Sequence, residues 1–370
     1  MIYLDYNATA PVRPEVLAVM QELQALSLNP SSIHASGRYA KKILEDSRKT
    51  IAERINCFPN EVIFCGCGSE ANNWALSAFG KVLVSSVEHS SVLKTTQARH
   101  SREGGNPETI PVDSEGIVSL EWLDTRLANK DIAVVSVMLA NNETGVIQPI
   151  REVAAITRKH NVLLHCDAVQ ALGKIAFDYS QLGADMVTLS AHKMGGPVGA
   201  AALIVRNNLP IKPFIVGGGQ ELNRRAGTEN IPAIAGFAEA IARIDLDFFT
   251  KLQKWFQEME QGIASIAPKA VIFGKASERL PNTSCIAMPN APSETQLIAF
   301  DIEKIAVSAG SACSSGTLEP SHVLKAMGII PEIASCAIRI SGGWKTRHEE
   351  LKTFANAWKN LYLRLNKNAA

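Results

Sequence analysis

The chain has 370 residues, 46% of them hydrophobic and 20% charged, and its 37 Lys and Arg against 36 Asp and Glu give a formal net charge of +1. That length accommodates about two domains with cores of their own, which excludes a disulfide-stapled miniprotein and a disordered chain. The near-neutral balance, without a basic block, argues against nucleic acid as a partner, and apolar stretches such as Ala200–Val205 fall far short of the ~18 residues of a membrane span.

In chain order, Asp5 and Asn7 interrupt the first apolar residues, no basic-then-hydrophobic leader precedes them, and export is not expected. The seven cysteines are odd in number and scattered, which fits a reducing, cytoplasmic compartment. Ala40, Ile43, Leu44, Ser47, Ile51 and Ile55 recur at three- and four-residue steps and predict a helix with one apolar stripe. Glu61–Cys65 is a short apolar run ending at glycines. Runs of the same kind at Lys81–Val87, Ile132–Leu139, Val162–Cys166, Met186–Leu189 and Ala201–Val205 predict buried strands. Helical segments lie between several of them, for example Arg151–His160 with Val153, Ala154 and Ile156 inward. This alternation predicts an α/β fold with a mainly parallel sheet flanked by helices. Leu246–Ile266 reads as one long amphipathic helix, followed by shorter strands and a last helix with Leu351, Phe354, Trp358 and Leu361 on one face. The change of pattern near residue 250 predicts a large domain, 14–250, and a smaller α+β domain formed by 1–13 and 251–370.

In an open parallel sheet, ligands bind beyond the carboxyl ends of the strands. There the sequence places Cys65-Gly66-Cys67-Gly68-Ser69-Glu70, a glycine-rich turn opening a helix through Ser77, whose free N–H groups and Ser69 hydroxyl suit an anion. Later runs end in Glu88-His89-Ser90-Ser91, Ala140-Asn141-Asn142-Glu143-Thr144-Gly145, Asp167-Ala168-Val169-Gln170 and Ser190-Ala191-His192-Lys193. A lysine facing an aspartate and a phosphate cradle at one sheet edge is the arrangement pyridoxal phosphate requires. The amine forms a Schiff base, and the carboxylate keeps the pyridine nitrogen protonated so that the ring accepts electrons.

These residues, with Asp5-Tyr6-Asn7-Ala8-Thr9, Arg225-Ala226-Gly227-Thr228-Glu229-Asn230, Gly310-Ser311-Ala312-Cys313-Ser314-Ser315-Gly316 and Ile338-Arg339-Ile340-Ser341, closely resemble the NifS/IscS-type cysteine desulfurases of the class V aminotransferase superfamily. The resemblance covers nearly the whole chain. It implies fold type I of the pyridoxal 5′-phosphate enzymes, with Lys193 bonded to the cofactor, Asp167 on the pyridine nitrogen, Gln170 donating to the ring oxygen and His89 stacked on the ring. It implies that Asn142 sits near the ring oxygen and the substrate carboxylate. Ser69, Ser190 and His192 would hold the phosphate, with Thr228 reaching across from a second subunit of a homodimer. Arg339 would clamp the carboxylate of L-cysteine, because a guanidinium matches it in a bidentate way.

Cys313 lies in a run of small residues bracketed by glycines, which suits a thiol that must travel, and the resemblance makes it the nucleophile. The reaction implied is removal of sulfur from cysteine, leaving alanine and a persulfide on Cys313, in support of iron–sulfur clusters or other thio-cofactors. A selenocysteine lyase or aminotransferase of the same superfamily is the alternative, and a sulfur-acceptor protein is an expected partner without an identity. Cys65 and Cys67, two apart across a glycine, do not make a tetrahedral metal set and read as small buried side chains, so no metal is expected. The Cys65–Ser69 run departs from the family's Thr-Ser-Gly-Gly-Thr type of run, with serine for threonine at Ser69. The segment from Arg99 to Glu108 reads as a surface connection. The short C-terminus puts docking to a scaffold protein in doubt.

Overall fold

The computed structural model describes residues 1–102, 107–310 and 321–366. A seven-stranded sheet runs in the order Val62–Cys65, Ala201–Val205, Met186–Ser190, Leu163–Asp167, Val134–Ser136, Val82–Ser85, Thr109–Ile110. Ala201–Val205 is antiparallel to both its neighbours and every other pairing is parallel, so six strands point the same way. All residues of Val82–Ser85, Val134–Ser136, Met186–Ser190 and Ala201–Val205 are buried. A parallel sheet covered on both faces requires such unbroken apolar runs in place of alternation. The strands are shorter than the runs that predict them: Lys81–Val87 contains Val82–Ser85, and Ile132–Leu139 contains Val134–Ser136. In each case the run continues past the last paired residue toward the ligand edge.

The apolar stripe at Ala40–Ile55 belongs to a helix over Ala35–Ile55, begun by the His34 ring accepting from the Gly37 N–H and ended by Asn56 in the left-handed region. It packs on the Ile231–Ala242 helix, which also receives Pro14–Gln24. The long amphipathic helix spans Leu246–Ile266 and lies against the last helix, His348–Asn366. Beside them Ala337–Ser341, Thr283–Ala287 and Val271–Ile272 form a three-stranded antiparallel sheet, while Ile2–Tyr3 pairs in parallel with Ile305–Ala306. Leu4 is thereby buried in one apolar cluster with Phe256, Phe300, Ile340, Phe354 and Trp358, separate from the cluster around the large sheet. The first residues of the chain then run from that second cluster across the carboxyl edge of the large sheet.

Arg99 does not lie in a surface connection. It lies in the last turn of the Ser90–Arg102 helix and donates to the carbonyls of Leu76, Phe79 at 2.7 Å and Gly80 at 3.1 Å, satisfying the open end of the Gly68–Ser77 helix. Among the described residues no helix is long and apolar enough to cross a membrane.

Candidate active site

The carboxyl ends of the parallel strands open into a cavity of about 490 Å³, a volume suited to a small molecule. Ser69, His89, Asn142, Asp167, Gln170, Ser190, His192, Lys193 and Arg339 all line it. Thr228 does not. It is exposed, on a segment tied to the body by the Arg225–Glu70 ion pair at 2.9 Å. Cys313 lies outside the described residues.

Each wall follows from local chain chemistry. The Gly68–Ser77 helix begins where Cys67, not Ser69, caps it, its sulfur accepting the Glu70 N–H at 3.4 Å. The Ser69 hydroxyl is therefore free of the cap. Cys67 is exposed on the cavity wall, whereas Cys65 is buried and its thiol is pushed up by that burial. A side chain at Gly68 would crowd Val169 Cγ2 at 3.3 Å, so glycine keeps this helix end tight against the turn after Asp167.

Asp167 is 6% exposed. One oxygen accepts from Asn72 Nδ2 at 2.7 Å and the other from the Val169 N–H at 3.0 Å. Asn72 also donates to Ser91 Oγ at 2.9 Å, which is 2.8 Å from His89 Nδ1, so a single relay fixes the carboxylate and the His89 ring. Burial lowers the pKa of His89, and burial with the Lys193 and Lys174 charges lowers His192 to about 4; His192 is therefore neutral at physiological pH.

Lys193 Nζ donates to the carbonyl oxygens of Asn7 at 2.7 Å and Ala8 at 2.8 Å. Burial and the nearby Arg339 guanidinium bring its pKa down to about 8, so roughly a tenth of it is free amine at pH 7, far more than for an ordinary lysine. Arg339 Nη2 meets Asp5 Oδ1 at 2.6 Å, its Nη1 donates to the Asn142 carbonyl at 3.1 Å, and its buried Nε has no partner among the described residues.

Several site residues were not singled out individually by the sequence reading. Asn7 joins both sides of the cavity: its carbonyl accepts from Lys193 and from Gln170 Nε2 at 3.0 Å, and its Nδ2 donates to the Asn142 carbonyl at 3.1 Å and Thr283 Oγ1 at 2.9 Å. Lys174 is 3% exposed and sits behind it. Glu88 is fully buried behind His89, accepting from Ser85 Oγ and the Met138 N–H at 2.6 Å each, and burial raises its pKa to about 8. His322 faces the cavity with Nε2 2.8 Å from the Glu88 carbonyl. Asn7 and Glu88 stand inside the motifs Asp5–Thr9 and Glu88–Ser91, and Lys174 follows Gln170 by four residues in a run of turns; that spacing was the available signal.

Residues 2–354 match the aminotransferase class-V family. Cysteine desulfurase IscS of Dictyoglomus turgidum is 40% identical over 366 residues, covering 95% of this chain and 91% of that one. A NifS-like protein from Rickettsia africae, solved by X-ray, superposes with a TM-score of 0.90 at 37% identity over 98% of this chain and 99% of that one. SspA, solved in complex with cysteine, does so with a TM-score of 0.82 at 28% identity over 92% and 98%. The chain belongs to the class V aminotransferase family and has its fold type I architecture.

Proposed function

We propose that the chain is a pyridoxal 5′-phosphate-dependent cysteine desulfurase, taking sulfur from L-cysteine and leaving L-alanine. The observation that carries this reading is the meeting of Lys193, Asp167, Arg339 and the Gly68–Ser77 helix end in one cavity. The donor set fits the cofactor: an anion cradle at Gly68 and Ser69, a fixed carboxylate at Asp167, and at Lys193 an amine made available by burial. When bound, the cofactor supplies an electron sink for the bonding pair released at the substrate Cα.

The chain's own groups do the rest. Ser69, Ser190 and neutral His192 would hold the phosphate, His89 would cover the ring, and Asn142 would lie at its oxygen and at the substrate carboxylate. Arg339 binds that carboxylate with N–H groups its present contacts leave free. Lys193 takes the proton from Cα. Cys313 thiolate attacks the substrate sulfur: the S–S bond forms, the Cβ–S bond breaks, and the carbon takes a proton to become the alanine methyl. The persulfide on Cys313 is then passed to a sulfur-acceptor protein, in a reducing cytoplasmic compartment, for iron–sulfur clusters or other thio-cofactors. The separate apolar clusters support a division into 14–250 and 1–13 with 251–370, and Thr228, exposed and away from its own chain's cavity, fits contribution to the partner's site in a homodimer.

The test is to incubate the cofactor-loaded protein with L-cysteine, quantify alanine and seek one added sulfur on Cys313 by mass spectrometry. Alanine with modified Cys313 is expected, and Cys313→Ser should keep the cofactor absorbance but lose both products. Alanine formation unaffected in that variant, or an amino-group exchange with keto acids instead, would overturn the reading.

A further inference from the structure

Lys174 is a fully buried lysine without a carboxylate partner among the described residues, and burial with the Lys193 and Arg339 charges nearby lowers its pKa well below the ordinary lysine value. Burying an amine this way is costly relative to an apolar side chain, so its presence is not explained by stability. Its Nζ donates to Asn7 Oδ1 at 2.9 Å and to Gln170 Oε1. Both contacts spend an N–H of Lys174 on an amide oxygen, and this fixes which end of each amide faces away from it. For Gln170 the far end is Nε2, which donates to the Asn7 carbonyl and lines the cavity beside Lys193. For Asn7 it is Nδ2, which holds the Asn142 carbonyl, the same oxygen that Arg339 grips. Rotating Gln170 by half a turn would set its oxygen against the Asn7 carbonyl and break the bond from Lys174 to Oε1.

We infer that Lys174 is a positioning residue that locks the Gln170 amide with its N–H groups toward the cavity, so that a ring oxygen of the cofactor meets a donor there. The inference rests on the cofactor reading above and concerns one atom of that ligand. Lys174 touches neither substrate nor cofactor in this role and acts through Gln170.

The experiment compares binding of pyridoxal 5′-phosphate and of its 3-deoxy analogue, which lacks the ring hydroxyl, to the full chain prepared without cofactor. Binding is followed by fluorescence, with thermal unfolding of each protein as a control. The wild-type chain should prefer the hydroxylated ligand about tenfold, the effect of a well-placed hydrogen bond. Lys174→Met should lose most of that preference by weakening pyridoxal phosphate alone, with the deoxy analogue changed less than about twofold. In a Gln170→Leu background, Lys174→Met should have no further effect on the ratio. Equal loss for both ligands, or a preference that survives the substitution, overturns the inference. If Lys174→Met does not fold, Lys174→Gln is read the same way, because an uncharged amide can present either end. A wild-type chain that binds both ligands equally overturns the positioning role alone, whereas one that binds neither overturns the cofactor reading with it.

Discussion

Lys193 shares its cavity with an Arg339 guanidinium at one side and Asp5 and Asp167 carboxylates at others, so its proton affinity is a balance of neighbours that substitution can tilt. In the cofactor-free protein, labelling of Lys193 by an amine-selective reagent, followed by mass spectrometry across pH, should show a midpoint of about 8. Arg339→Leu removes a like charge and should move that midpoint up; Asp5→Asn removes an attractive one and should move it down. A midpoint near the ordinary lysine value in the wild-type chain contradicts the burial argument. Glu88 gives a second signature with the opposite sense. Its folded pKa of about 8 lies above the ordinary carboxyl value, so between roughly pH 4.5 and 8 the native state holds a proton that the unfolded state has lost. Stability therefore falls as pH rises through that window, by up to ~1.4 kcal/mol per pH unit for one proton. Glu88→Gln should flatten this part of a melting-temperature profile and melt above the wild type at pH 8.

Between the cavity and the exposed Thr228 the chain passes through Glu221, Leu222 and Asn223, all in the left-handed region at φ 45°, 58° and 63°. Side chains disfavour that conformation, so something must hold it. Arg48 does: its guanidinium donates to Glu221 at 2.7 and 2.9 Å and to the Val62 carbonyl at 2.6 Å, and Glu221 also accepts the Phe64 N–H at 2.7 Å. Both side chains are almost wholly buried. Arg48→Met strands the Glu221 charge and should cost ~3–5 kcal/mol in denaturant unfolding, and adding Glu221→Leu should recover part of that. The contrast with the strand ends is instructive. Lys193 was legible because it follows one apolar run, and Asp167 and Gln170 because they follow another, and a parallel sheet gathers such ends to one edge. The Arg48–Glu221 pair, 173 residues apart, and the closure of Lys174 on Asn7, 167 apart, carry no local pattern. Cys67 was misread as buried because the turn opens its cap residue to the cavity, which spacing alone does not reveal.

For the whole molecule, the exposed apolar side chains near Thr228 argue for a covered face. Val198, Val216 and Leu222 are 73, 86 and 55% exposed. The Ala226 N–H to Ile215 carbonyl bond, 3.1 Å, sets the segment bearing Val216 beside the one bearing Thr228. If that face is the homodimer interface, Thr228 serves the partner's cavity, and a complementation experiment decides it. Lys193→Ala protein has lost its own amine but keeps Thr228; Thr228→Ala protein keeps its amine but is expected to bind cofactor phosphate weakly. In a mixed dimer with Thr228 acting across the interface, the cavity of the Thr228→Ala chain receives an intact threonine from its Lys193→Ala partner and is complete. The other cavity has lost both groups. Unfolding and refolding an equimolar mixture yields mixed dimers as about half the population by random pairing, so tight cofactor binding should appear in about a quarter of all cavities at ligand concentrations where neither parent binds fully. If Thr228 serves its own chain, every cavity in the mixture has lost one group and no such tight-binding class forms. Val216→Glu, by placing a charge in the apolar face, should give a monomer in sedimentation velocity and should weaken cofactor binding to about the level of Thr228→Ala.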